Sequence, residues 1–198
     1  MLAVLGRLRY WIERVGYVMG CAAGWLFVVC AFFISVDVLG RKFFGVSSKA
    51  TVELTGYMLA FGIAWGLTDA LTTRCHVRVD VLVTGMPQGL RAYMHALALA
   101  FLVVLNFFFV WRGWAVVEES WMFGAHDSSA ITTPLIIPQG LWAAGMTVFL
   151  FLSVTMLLEV IVLLVLGERE RVDRLLGPRT LAEETAEALE AAAIATRE

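Results

Sequence analysis

Charge is scarce in this sequence. Lys, Arg, Asp and Glu make up 16% of its 198 residues, against about 25% in an ordinary soluble domain. That leaves too little polar surface to coat a globule, so a soluble enzyme is excluded. A basic excess is also missing. The net charge of −2 excludes a nucleic-acid binder driven by overall basicity. Cysteine is limited to Cys21, Cys30 and Cys75, with no CxxC pair, which argues against a zinc ribbon, a c-type haem site or a disulfide framework. Of three histidines only His95 falls in a long apolar run, so two axial ligands for an intramembrane haem are lacking. The apolar runs carry neither a chain of acids and histidines nor a paired mid-span Gly or Pro break, so no solute path through this chain is expected. No catalytic, substrate-binding, metal or cofactor residue is expected either.

Apolar sequence is what abounds. Hydrophobic residues make up 60%, and the mean hydropathy is +0.81, which places the chain among integral membrane proteins. A helix needs roughly 20 apolar residues to cross a ~30 Å hydrocarbon core. Four stretches qualify, at about 15–36, 50–71, 92–111 and 138–166. The second is charge-free only from Leu54 to Thr68, between Glu53 and Asp69. Pro138 suits the first turn of the fourth. The Val18-Met19-Gly20-Cys21 string hints at a lipoprotein box, but apolar sequence continues fifteen residues past Cys21, so the first stretch reads as a retained span. The expected fold is therefore an all-α membrane protein of four transmembrane helices, filling residues 15–167. Residues 1–14 place Leu2, Leu5, Leu8 and Ile12 at helical spacing among arginines and read as an interfacial amphipathic helix. Residues 168–198 read as a polar cytoplasmic tail, partly helical or disordered, with a capping-box pattern at Thr180 and Glu183. Basic residues near the span ends number ten on one side and four on the other, which puts both termini in the cytoplasm.

Small residues mark the packing faces. Gly16, Gly20 and Gly24 recur every four residues in the first span; Gly56 and Ala60 form one row in the second, and Gly62 and Gly66 another. Such rows let helix backbones approach closely, either within the bundle or against another membrane protein. Asn106 is expected to bond between helices. Glu159 sits at the cytoplasmic interface or pairs with a cation on a partner. The densest polar cluster is Arg74-Cys75-His76-Val77-Arg78-Val79-Asp80, directly after the second span. It is either a positive-inside anchor or a specific contact, because Arg binds carboxylate or phosphate bidentately.

At this cluster the sequence resembles the small membrane subunit (DctQ-like) of tripartite ATP-independent periplasmic (TRAP) transporters. The residues that carry the resemblance are Arg41 after the first span, Glu53-Leu54 opening the second, Gly66 within it, and His76-Val77-Arg78-Val79-Asp80 beyond it. Leu135-Ile136-Ile137-Pro138 also looks like the family's Ile-Pro element. Glu53 lies thirteen residues before Gly66 and twenty-three before His76. Ala50, Val52 and Phe61 depart from the family's usual Trp, Glu and Trp. The resemblance covers roughly residues 10–166. It implies a bacterial inner-membrane subunit that braces a large TRAP membrane subunit. That partner would import an organic anion, a dicarboxylate or sugar acid, on a sodium gradient after delivery by a periplasmic solute-binding protein. It also implies that Arg41, Glu53 and the stretch holding His76, Arg78 and Asp80 meet the partner subunit; Gly66, Arg74 and Glu159 are further candidates for that interface, with membrane lipids around the rest. The alternatives are a membrane anchor of a respiratory enzyme and a stand-alone small transporter.

Overall fold

The computed structural model describes residues 2–45, 48, 50–74, 87–127 and 132–177, with single positions at 185 and 189. Helix α1 runs from Leu2 to Phe44, α2 from Thr51 to Thr72, α3 from Gln88 to Met122, α4 from Ile136 to Val165, and the short α5 from Arg169 to Leu176. No strand occurs among the described residues; one isolated bridge joins His126 and Pro134. Backbone chemistry sets the ends. Gly45, Gly124 and Gly167 take positive φ just beyond α1, α3 and α4, a conformation that costs glycine little. Pro87 precedes α3, and Pro138 lies in the first turn of α4, where a missing N–H costs nothing.

α1, α3 and α4 are long and apolar enough to cross a membrane. α2 is not among them. Its 22 residues include Glu53, Asp69 and several Thr and Gly, which dilute its hydropathy. Side-chain hydroxyls inside the helices fold back onto their own backbone: Ser35 donates to the Ala31 carbonyl at 2.8 Å, Ser153 to Phe149 at 2.8 Å and Thr155 to Phe151 at 2.7 Å. This satisfies each hydroxyl without water.

α1 begins at the end of the bundle where α2 and α4 finish and α3 starts; we call this the proximal end. α4 is the hub and touches the other four helices, while α3 meets only α4 and α5 among the described elements. The main core lies toward the proximal end, where Leu71, Ala92, Leu99, Leu152, Met156, Val160 and Leu163 pack together. α1 joins the bundle through a narrow seam. Its buried residues Gly16, Met19, Ala23, Cys30 and Asp37 recur at steps of three, four and seven, as in a coiled coil.

Two expected boundaries fall differently. An interfacial helix ending at residue 14 does not separate from the first span: α1 continues unbroken through that point to Phe44. No proline interrupts it, and Arg9, on the expected interfacial segment, is drawn into the bundle by Glu159 at 3.1 Å. Nor is the polar sequence after Glu168 a solvated tail from its start. α5 folds back at Gly167 and buries Val172 and Leu176 in the main core. The Thr180–Glu183 capping pattern lies outside the described residues.

Candidate partner interface and charged ends

Polar groups gather at the two ends of the bundle, and each end is built from intrachain pairs. At the proximal end the Arg9 guanidinium joins Glu159 of α4 at 3.1 Å and Glu13 at 3.7 Å. Asp173 of α5 accepts both Arg91 Nε, at 2.8 Å, and the second Arg91 guanidinium nitrogen, and lies 3.6 Å from His95 Nε2. Bidentate Arg–carboxylate pairing of this kind is directional as well as strong. Arg74, which takes a positive φ after α2, donates to the Arg174 carbonyl at 3.2 Å. The Arg169 guanidinium stacks 5.8 Å above the Tyr93 ring. α5 is thus tied to α3 and to the end of α2.

At the opposite, distal end Asp37 is buried. It accepts Arg41 at 2.7 Å and the Ser48 backbone N–H at 2.7 Å, which fixes the exit from α1. Arg41 nevertheless leaves 60% of its side chain exposed. The Tyr57 hydroxyl bridges Asp127, at 2.7 Å, and Glu53, at 3.2 Å, joining α2 to the turn after α3. That turn closes as a small hairpin through Asp127 N–H to Thr133 and Leu135 N–H to Ala125, both at 3.0 Å. Between the ends, Trp65 donates to the Leu141 carbonyl, Trp114 to Thr147 and Ser120 to Gln139, at 3.0, 3.0 and 2.6 Å. Asn106, buried between α3 and α4, reaches the Met146 carbonyl at 3.5 Å.

The small-residue rows divide by what they face. A Cβ on Gly16 would stand 2.5 Å from Thr68 Cγ2, one on Gly20 2.8 Å from Asp69, and one on Gly62 2.7 Å from the Phe27 ring. These three hold α1 against α2. Gly24, Gly56 and Gly66 have nothing within 4 Å of such a Cβ, and Ala60 lies on the exposed side of α2 with Val52, Leu59 and Ile63. A fourth close approach was not singled out from the sequence: Gly145 of α4 lies against Trp65, with the Ala64 carbonyl carbon 3.2 Å from its Cβ position. Apolar exposure is broad on α1, where Tyr17, Trp25 and Phe32 exceed 60%, and on α3 at Phe101 and Trp111.

Of the residues expected to meet a partner, Arg41, Glu53, Gly66, Arg74 and Glu159 are described. Arg41 and Glu53 lie at the distal end, Arg74 and Glu159 at the proximal end, and Gly66 between them on α2. Glu159 pairs within the chain, with Arg9. His76, Arg78 and Asp80 lie outside the described residues, so the His-x-Arg-x-Asp stretch is not brought to any face here. Sequence reasoning missed Arg9, Asp173 and Asp37 as pairing residues. It also read Asp69 only as the flank of a span. Asp69 in fact lies beside Gly20, about 16 Å along α1 from Arg9 at a rise of 1.5 Å per residue.

Long apolar helices, hydroxyls bonded back to their own backbone and charges held at two ends define a multi-pass membrane protein. The family model described as the DctQ component of tripartite ATP-independent periplasmic transporters matches residues 30–164, and the chain belongs to that family. It is therefore a TRAP transporter small permease subunit, of a family of transporter components and not of enzymes. The motifs at Arg41, Glu53, Gly66 and 76–80 all fall inside the matched segment; the first 29 residues and α5 lie outside it. No curated protein and no solved structure matches the chain.

Proposed function

We propose that this subunit spans the inner membrane four times, with both termini in the cytoplasm, and braces a large TRAP membrane subunit. That partner imports an organic anion, a dicarboxylate or sugar acid, on a sodium gradient after a periplasmic binding protein delivers it. The observation that carries the reading is the outward surface of α1 and α2. α1 spends only one seam on its own bundle, and the open positions at Gly24, Gly56, Ala60 and Gly66 would admit a neighbouring helix backbone. Basic residues favour the proximal end in the cytoplasm. α2 serves as the fourth span, its polar groups shielded by α1 and α4.

Co-reconstitution tests this directly. Proteoliposomes holding both membrane subunits and the loaded binding protein are expected to accumulate the organic anion only under an inward sodium gradient. The large subunit alone should fall at least tenfold below that rate. Equal uptake without the small subunit overturns the bracing role.

The same orientation places Arg41 and Lys49 on the periplasmic side. Reversing both to Glu is expected to weaken binding-protein docking about tenfold at low salt, with the effect fading as salt rises. Surface plasmon resonance on the complex in nanodiscs measures it, and unchanged docking removes this contact.

A further inference from the structure

Asp69 is a half-buried acid where α2 lies against α1, three residues before the end of α2. Its carboxylate lies against bare Gly20, with Oδ2 3.0 Å from the position of a Gly20 Cβ. Gly20 is eleven residues from Arg9 and seventeen from Asp37, about 16 Å and about 25 Å along α1. A hydrocarbon core of ~30 Å fitted anywhere between those two polar levels encloses it. Among the described residues Asp69 forms no ion pair, although its backbone carbonyl accepts Thr72 and Thr73 hydroxyls. Arg14 stands six residues, about 9 Å, from Gly20 along α1.

The surroundings are polar where lipid tails would demand otherwise. Tyr17, 61% exposed, and the exposed Cys21 lie three residues before and one after Gly20 on α1. Gly24 on α1 and Gly66 on α2 leave open space on the helix pair. A carboxylate at that level is costly unless a cation pairs with it, and such a residue marks a site of function or pairing.

We infer that Asp69 receives a Lys or Arg side chain from a transmembrane helix of the large partner subunit, seated over Tyr17, Cys21, Gly24 and Gly66. The inference rests on the bracing reading and adds the chemistry of one contact to it. The cation supplies the charge that the apolar depth denies, and the glycines let its helix come close enough to deliver it. An uncharged neighbour or lipid leaves the carboxylate unmatched.

The test uses the two-subunit complex, co-expressed and captured through a tag on this chain. Wild type is expected to retain the large subunit, Asp69→Asn to retain several-fold less, and Asp69→Lys at least tenfold less. Capture of the large subunit by wild type and by both variants alike overturns the Asp69 contact while leaving the bracing reading standing. Failure of wild type to capture it sinks that reading and the contact with it. Because Asp69→Lys also risks misfolding, Tyr17 is replaced in an otherwise wild-type chain by a benzophenone amino acid. Irradiation is expected to join it to a large-subunit peptide containing Lys or Arg. Capture of lipid alone, or of this chain's own residues alone, overturns the proposal.

Discussion

Gly16→Val should loosen α1 from the bundle, while Gly24→Val should leave the isolated chain intact. Both residues belong to one four-residue row, yet their surroundings differ. A Cβ at Gly16 would meet Thr68 Cγ2 at 2.5 Å and Thr68 Cβ at 3.3 Å; at Gly24 nothing lies within 4 Å. Thr68 is fully buried and β-branched, so it has no free rotamer with which to retreat. The helices must separate instead. Overpacking costs typically 1–3 kcal/mol, and an added isopropyl group in a seam this narrow should reach about 3 kcal/mol. At roughly 2–4 °C per kcal/mol for a chain of this size, the melting temperature in detergent should fall by about 10 °C. Gly24→Val should shift it by less than about 2 °C, as an exposed substitution does. The order reverses in the two-subunit complex. There Gly24→Val should cost affinity for the large subunit, because it fills space that only a neighbouring helix uses. Equal melting losses for the two variants would show that the row acts as one packing face.

That contrast also shows where sequence stops being legible. A four-residue period identifies a face of a helix, but not what stands opposite it. Gly16 and Gly20 touch α2, Gly24 touches nothing, and no property of the row distinguishes them. The extent of α2 was readable to within a residue, because Glu53 and Asp69 bracket its apolar run. Pro138 located the start of α4 for the same local reason. Pairings across long sequence separations were not readable. Arg9 and Glu159 are 150 residues apart, and Arg9 sits in a segment whose alternation of leucine and arginine imitates an interfacial helix. Asp69 was visible only as the end of a charge-free run. Its place beside Gly20 follows from the offset between α1 and α2, which is a property of the assembled pair. The family itself was legible because its signature is a string of local spacings, and the match over residues 30–164 contains every motif that carried it.

α5 was the least legible element, since eight residues with four arginine or glutamate neighbours read as solvated. Its removal should nonetheless be the most damaging truncation. Val172 is wholly buried and Leu176 nearly so, in the cluster that also holds Leu71, Ala92, Leu99 and Leu163. Burying an aliphatic side chain is worth about 1.5–3 kcal/mol, so the two together contribute roughly 4 kcal/mol. The Arg91–Asp173 pair adds to this. Asp173 keeps 13% of its side chain exposed and Arg91 keeps 27%, so neither charge is fully hydrated once its partner is gone. Asp173→Ala alone should cost about 2 kcal/mol, less than the 3–5 kcal/mol of a fully buried pair because water still reaches both groups. Adding Arg91→Ala should recover part of that loss, since the unpaired guanidinium is then removed. Two truncations isolate the helix. A chain ending at Gly177 keeps α5 and a chain ending at Gly167 loses it, so their difference in stability is the contribution of residues 168–177. We expect at least about 4 kcal/mol between them, read as a melting-temperature gap of about 10 °C or more in detergent. Amide exchange at Ala92 and Leu163 should accelerate in the shorter chain, because both sit beneath α5. A gap near zero would mean that the helix rests on the bundle without holding it, and the proximal core would then depend on α2, α3 and α4 alone.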